Sequence, residues 1–112
     1  TAVGPGELLT KVTLPARGGA GDGFAAITIG ADGTCIVNAA ATVSGGEARV
    51  ALGCVSATPV LLTVAAEDDA VREAVGAAAI DPPSDVHGSA DYRRHLAAVV
   101  AARAVVDAKE GS

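Results

Sequence analysis

Hydrophobic and polar residues alternate through much of the first 64 positions, and this pattern predicts β-strands. A side chain of one kind at every second position is typical of a strand with one buried face. Turn-forming residues separate the segments, and the turn Ser44–Glu47 predicts that the strands on either side of it pair as a hairpin over residues 35–56. Pro59 places the last segment at a sheet edge, where a missing amide hydrogen is tolerated. The predicted strands are Leu8–Leu14, Phe24–Ile29, Cys35–Val43, Ala48–Ser56 and Val60–Val64.

Helical spacing replaces this alternation in the rest of the chain. One helix is predicted over Ala70–Ala79, after the acidic residues Glu67–Asp69, which suit the positive end of a helix dipole, and it ends before Pro82. A longer helix is predicted from the N-cap residue Ser89 through Lys109. Its predicted apolar stripe, into which Arg103 also falls, consists of Tyr92, Leu96, Val99 and Val106.

Strands followed by helices are typical of an α+β fold rather than of a parallel α/β sheet. We therefore predict a three- to four-stranded antiparallel sheet packed on helices, within a single domain over residues 1–112. Phe24 and Tyr92 are the only aromatic residues, and methionine and tryptophan are absent. The core must then consist of alanine, valine, leucine and isoleucine.

Composition and charge exclude several classes of function. The net charge is −5 and the eight lysines and arginines are spread along the chain, whereas nucleic-acid binding needs a clustered basic face. No uninterrupted apolar stretch of about 20 residues predicts a membrane span, and no signal peptide is recognisable. We expect a reducing, cytoplasmic location, with Cys35 and Cys54 as buried free thiols; a disulfide between them is the alternative.

The residues that could carry chemistry are scattered. Zinc sites usually contain closely spaced cysteines, but Cys35 and Cys54 lie on different predicted strands, His87 in a loop and His95 on the last helix. The acidic cluster Glu67–Asp69 is explained by a solvated helix start. The sequence thus predicts no metal site and no catalytic residue.

The most unusual polar group is Tyr92-Arg93-Arg94 together with Arg103. Neighbouring residues on a helix point about 100° apart, so Arg93 and Arg94 cannot both face the core. One of them, with Arg103, could clamp Asp85 or Glu47 and tie the helix to the sheet. Exposed charges of little energetic consequence and docking onto a partner subunit are the alternatives. Asp85, Tyr92, Arg93, Arg94 and Arg103 are therefore the structural or subunit-interface candidates.

Several segments, in order, resemble a known family. Gly45–Pro59 (GGEARVALGCVSATP) resembles the "AR-hydrophobic-A-L-G-G-V-x-x-T-P" segment in the C-terminal domain of carbon monoxide dehydrogenase flavoprotein subunits, which also occurs in xanthine dehydrogenase and related molybdenum hydroxylases. Asp85–Ala97 (DVHGSADYRRHLA) is similar to that domain's "D-x-x-G-S-A-x-Y-R-R-x-L-A". Gly6–Pro15 and Ile36–Ala41 resemble its "G-E-x-I…-P" opening and its "I-V-N-V-A-A" strand.

The resemblance implies a three- or four-stranded antiparallel sheet with about three helices. It also implies that the domain follows an FAD-binding domain, helps to enclose the flavin, and contacts molybdenum and iron–sulfur subunits during electron transfer; homodimerisation stays open. No FAD binding is expected of this chain alone, because the flavin-holding domain lies outside it. Where the family often has basic residues, Ala25–Gly30 has none. The alternative is therefore a stand-alone, non-catalytic assembly module that keeps the fold and does not bind FAD.

Overall fold

A four-stranded antiparallel sheet is the centre of this computed structural model, which describes residues 2–111. The strands lie side by side in chain order, β1-β2-β3-β4, so that each strand pairs with the next along the chain. Their bounds are Gly21–Ile29 for β1, Thr34–Ser44 for β2, Glu47–Gly53 for β3 and Val60–Ala65 for β4. The predicted strand pairing of the hairpin over 35–56 and the edge position of the last strand are confirmed.

The β2–β3 hairpin is set by its two-residue turn. Gly45 and Gly46 both have positive φ, at 57° and 82°, which is the backbone of a type I′ turn and is unstrained only for residues such as glycine. Ser44 pairs with Glu47 across this turn, and Val43 pairs with Ala48. The resulting register places Val43, Ala41 and Ala39 on the same buried face as Ala48, Val50 and Leu52.

Two helices cover one face of the sheet within residues 2–111. These are α1, Asp68–Ala77, and α2, Ala90–Glu110; the latter lies across β1 and β2. The α+β class and the four strands are confirmed, whereas the "about three" helices were an overestimate. The described residues contain no helix long and apolar enough to span a membrane.

The predicted apolar stripe of α2 is correct at Leu96, which is buried, but wrong at Tyr92 and Val106. Tyr92 and Val106 are 49% and 47% exposed, and Arg103 is exposed as well. The face that packs on the sheet is made mainly of alanines, because small side chains let the helix axis approach the strands closely. The buried residues of α2 are Arg93, Leu96, Ala97, Val100, Ala101, Ala102, Ala104, Val105 and Ala108.

Gly23 of β1 is where this close approach is tightest. A Cβ atom built on Gly23 would lie 2.0 Å from the Ala104 carbonyl oxygen and 2.6 Å from the Ala108 amide nitrogen. Both are backbone atoms of α2, so no side-chain rotation could relieve the contact. The absence of a side chain at Gly23 therefore fixes how near α2 lies to the sheet.

The strand predicted over Leu8–Leu14 is absent. Residues 7–17 have no regular secondary structure, and Leu8, Val12 and Leu14 are 70–83% exposed. An alternating sequence becomes a strand only when a neighbouring strand receives its backbone hydrogen bonds, and within residues 2–111 β1 pairs only with β2. We call Gly6–Pro15 the N-terminal arm.

Candidate functional site

A buried arginine joins the start of α2 to the sheet. Arg93 is 4% exposed and is the only buried charged residue among residues 2–111. Its Nη2 donates to both carboxylate oxygens of Asp85, at 2.9 and 3.1 Å, and its Nη1 donates to the carbonyl oxygen of Ile36. One guanidinium thus connects α2, the loop before it and β2, a role that suits its fixed fork of donors.

A β-bulge supplies the Ile36 carbonyl. Ile27 of β1 pairs with Val37, but the next residue, Thr28, pairs with Cys35, so Ile36 is an extra residue in β2. An extra residue in a strand is left unpaired in the ladder. The Arg93 guanidinium therefore meets a backbone acceptor that the sheet leaves available.

The loop before α2 is shaped to present the Asp85 carboxylate. Asp85 and Gly88 exchange backbone hydrogen bonds of 3.1 and 3.3 Å, and the Asp85 Oδ1 accepts from the His87 amide at 2.9 Å. Ser89 then caps α2 by accepting from the Tyr92 amide at 3.1 Å, as predicted. The His87 amide and, after it, the Arg93 side chain lower the pKa of Asp85 below its ordinary value of 3.8.

Because of this lowered pKa, the free energy of unfolding should depend on pH in the acidic range. A carboxyl group with a lower pKa in the folded state stabilises that state above the ordinary pKa, and the contribution is lost as the pH falls through the folded-state pKa. We expect Asp85→Asn to reduce the free energy of unfolding at neutral pH, with a difference from wild type that shrinks below the ordinary value of 3.8. Urea unfolding at a series of pH values would measure this; a difference that stays constant with pH would contradict it.

The other polar candidates lie apart from this cluster. Arg94 forms an exposed ion pair with Asp91, at 3.3 Å, on its own helix. Arg103 and Glu47 are exposed, Arg103 on α2 and Glu47 at the start of β3. Of the predicted ion pairs, the structure therefore shows the one between Arg93 and Asp85. Tyr92, the residue before Arg93 on α2, is half-exposed.

Two thiols meet at the end of the sheet next to this cluster. The Nδ2 atom of Asn38 lies 3.4 Å from the Cys35 Sγ and 3.8 Å from the Cys54 Sγ. The expectation that both thiols are buried was wrong, because β3 ends at Gly53 and Cys54 is exposed in the following loop. Among residues 2–111 no group of three or more metal-ligating side chains is assembled.

The face of the sheet turned away from the helices is open and carries an apolar patch among polar side chains. We define this outer face by Phe24, Ala26, Ala40, Ala51 and Leu61. Phe24 and Leu61 are 61% and 58% exposed, which is unusual for large apolar side chains. The polar side chains beside them include Thr42 and Arg49, so the outer face carries no cluster of positive charge.

Solved structures with the same fold exist. The structure matches a chain of the reconstituted CO dehydrogenase from Oligotropha carboxidovorans with a TM-score of 0.80 and 31% identity, over 100% of this chain and 45% of that chain. A chain of the Hydrogenophaga pseudoflava CO dehydrogenase matches with a TM-score of 0.69 and 26% identity, over 83% and 38% of the two chains. Quinoline 2-oxidoreductase from Pseudomonas putida 86 matches with a TM-score of 0.67 and 25% identity, over 83% of this chain and 38% of that chain.

The chain resembles one part of a CO dehydrogenase-type subunit. The family resemblance recognised in the sequence is thus confirmed, and a match to 38–45% of each solved chain is consistent with a C-terminal domain of the flavoprotein subunit. In those proteins the fold belongs to a longer chain, less than half of which this chain spans. No protein-family model and no curated protein matches the sequence.

The backbone at Cys54 is unusual for a residue other than glycine. Cys54 has φ 64° and is the one non-glycine residue with positive φ among residues 2–111. In the motif the corresponding position is the second glycine of "L-G-G-V", a residue that adopts this conformation freely. Cys54 therefore keeps a backbone suited to glycine while adding a thiol.

A substitution at Cys54 tests this comparison. We expect Cys54→Gly to fold with a stability within about 0.5 kcal/mol of wild type, because relief of the disfavoured backbone offsets the greater flexibility of the unfolded chain. Cys54→Val should lose about 1 kcal/mol or more, since β-branched residues tolerate positive φ poorly. Thermal unfolding of both variants would show the difference, and equal stabilities would contradict the assignment.

Proposed function

We propose that this chain is the C-terminal domain of the FAD-carrying subunit of a molybdenum-hydroxylase-type oxidoreductase. In this proposal it supports flavin enclosure, subunit assembly and electron-transfer geometry, and it contributes no catalytic residue. The observation that carries the proposal is the match to a CO dehydrogenase chain over the whole of this chain, at a TM-score of 0.80 and 31% identity.

The chemistry of the described residues supports a role in assembly. FAD carries a pyrophosphate, and protein sites for such anions use helix N-termini or clustered cations. The first turn of α1 carries Asp68 and Asp69, and that of α2 carries Asp91. A shallow cleft lies on the outer face. Arg49 is the one cationic residue among those that line it, and the acidic Asp22 lines it as well. These residues do not form a flavin site by themselves, so the flavin would be held mainly by the preceding domain.

The N-terminal arm supports the presence of such a domain. Leu8, Leu9, Val12 and Leu14 are 66–83% exposed, and large apolar patches on a protein surface usually mark contact sites. The alternation of the arm is typical of a strand, and within residues 2–111 no strand pairs with it. We propose that the arm pairs with the FAD-binding domain of the same subunit, and that the molybdenum and iron–sulfur subunits contact the assembled pair.

A charged substitution in the arm tests this assignment in the natural full-length protein. Leu14→Asp would place a carboxylate in the proposed contact, and we expect the purified protein to retain less FAD per chain after gel filtration. Val86→Asp is the matched control, because Val86 is 95% exposed in the loop before α2 and lies outside the arm. Equal FAD retention in wild type, Leu14→Asp and Val86→Asp would contradict the proposed contact.

One observation favours a second candidate, the stand-alone assembly module without FAD. On β1, Ala26 and Thr28 occupy exposed positions where the family often has basic residues. Ala25, Ile27 and Ile29 pack against the core instead. A stand-alone module would be a small, colourless protein, whereas the subunit of the first candidate would be larger and yellow; size and colour therefore separate the two candidates.

A further inference from the structure

The two cysteines form one local cluster, although 18 residues separate them in the sequence. Both sulfur atoms contact the same Asn38 Nδ2, at 3.4 and 3.8 Å, and the Cys54 Sγ lies 4.0 Å from the Cys35 carbonyl oxygen. The nearby Cys35 thiol is also one of the causes that raise the pKa of Cys54, after desolvation. The end of β3 therefore holds Cys54 against the start of β2.

The two thiols differ in access to solvent. Cys54 is exposed in the loop after β3, whereas Cys35 is partly buried in β2. A reagent in solution would thus reach Cys54 first, with Cys35 shielded beside it. This is the arrangement in which an exposed thiol reacts and a neighbouring thiol resolves the product.

Neither thiol is explained by packing. The buried apolar core contains Ile36 and Val55, the residues next to Cys35 and Cys54, but neither cysteine. At Cys54 the backbone has φ 64°, which a glycine would adopt more easily. The thiol at Cys54 is thus present at a position where the fold alone would favour its absence.

We propose that Cys35 and Cys54 form a reversible disulfide when the protein meets a peroxide. The Cys54 thiol releases its proton, and the thiolate attacks one peroxide oxygen; the O–O bond breaks and the departing hydroxide takes up the proton, giving Cys54 sulfenic acid and one water. The Cys35 thiol then attacks the Cys54 sulfur, the S–S bond forms, and the sulfenic oxygen leaves as a second water. Two thiols are oxidised, one hydrogen peroxide is reduced to two waters, and a dithiol reductant reverses the change. This inference does not depend on the proposed function.

The bond would tie the start of β2 to the loop after β3, next to the bulge residue Ile36. Ile36 is the residue whose carbonyl accepts from Arg93. A disulfide across these elements closes a loop of about 20 residues and restricts the unfolded chain. The oxidised protein should therefore unfold at a temperature at least about 5 °C above the reduced protein.

The experiment treats the reduced protein with excess hydrogen peroxide for hours, since partial desolvation and the neighbouring Cys35 raise the pKa of Cys54 and slow its reaction. Intact mass spectrometry should show the loss of two hydrogen atoms, and both thiols should disappear from a thiol titration. Trypsin cleaves after Arg17, Arg49 and Arg72, which separates the two cysteines. Without reductant, peptides 18–49 and 50–72 should remain linked; with reductant they should separate.

Two single-cysteine variants are the controls. Cys54→Gly is expected to fold because glycine suits the backbone there, and Cys35→Ala removes only the partly buried thiol. Both should gain oxygen atoms under peroxide and show no intramolecular link. Wild-type protein that gains oxygen atoms, or that forms dimers through disulfides between chains while peptides 18–49 and 50–72 stay unlinked within a chain, would overturn the proposal.

Discussion

Replacing Gly23 by alanine is expected to destabilise the fold by about 3 kcal/mol, a large fraction of the stability of a small domain. The added methyl group would lie 2.0 Å from the Ala104 carbonyl oxygen and 2.6 Å from the Ala108 amide nitrogen. Both atoms belong to the backbone of α2, so the helix itself must move away from the alanine-lined contact. Urea unfolding followed by far-UV circular dichroism would measure the loss.

Gly76 offers the matched control for this substitution. It lies within α1, and a Cβ atom built there meets nothing within 4 Å. Gly76→Ala should raise the free energy of unfolding by about 0.5–1 kcal/mol, since alanine loses less conformational freedom in a helix. The two glycine-to-alanine substitutions should thus change the free energy of unfolding in opposite directions. A neutral Gly23→Ala would contradict the close approach of α2 to β1.

Replacing Arg93 by alanine is expected to cost about 2–4 kcal/mol. The change leaves the bulge carbonyl of Ile36 without its donor, empties a buried side-chain volume, and frees the loop that holds Asp85. Arg93→Met should restore much of the packing but not the hydrogen bonds. Its loss should be smaller than that of alanine, because the methionine side chain fills part of the buried volume that alanine leaves empty.

The neighbouring Arg94 is the control for this prediction. Arg94 pairs with the exposed Asp91 on the same helix, at 3.3 Å, and such surface pairs contribute at most about 1 kcal/mol. Arg94→Ala should therefore change the free energy of unfolding by no more than about 0.5 kcal/mol. Similar losses for Arg93→Ala and Arg94→Ala would show that Arg93 does not anchor the helix.

Elements with strong local signals could be predicted from the sequence. The Ser89 cap, the acidic first turn and the uninterrupted helix formers after it identify α2, and the glycine pair Gly45-Gly46 identifies the β2–β3 hairpin. Both signals act over a few residues, so the rest of the chain is not needed to interpret them. The structure confirms α2 over Ala90–Glu110 and the pairing of β2 with β3.

The packing face of α2 could not be predicted in the same way. A stripe was sought among the larger side chains, such as Tyr92 and Val106, but the helix packs through Ala97, Ala101 and Ala104. Alanine contributes little to a hydrophobic pattern. The close packing of these alanines on the sheet depends on Gly23, which is distant in the sequence. The correct face therefore emerges only when helix and sheet are considered together.

Two other features depend on contacts that the sequence does not display. The arm alternates like a strand, yet residues 2–111 provide it with no partner strand, so Leu8–Leu14 stays irregular. Arg93 could be recognised as half of a pair with Asp85, but its contact with Ile36 requires the bulge in β2, which has no sequence signal of its own. The cysteine pair likewise depends on the point at which β3 ends.

The most direct test of the account is the mass and flavin content of the natural protein that carries this sequence. We predict a chain more than twice as long as these 112 residues, yellow, with close to one FAD per chain, and purified together with a molybdenum-containing partner. A colourless protein of about the mass of this chain alone, 10.8 kDa, would contradict the assignment to a flavoprotein subunit and would favour the stand-alone module.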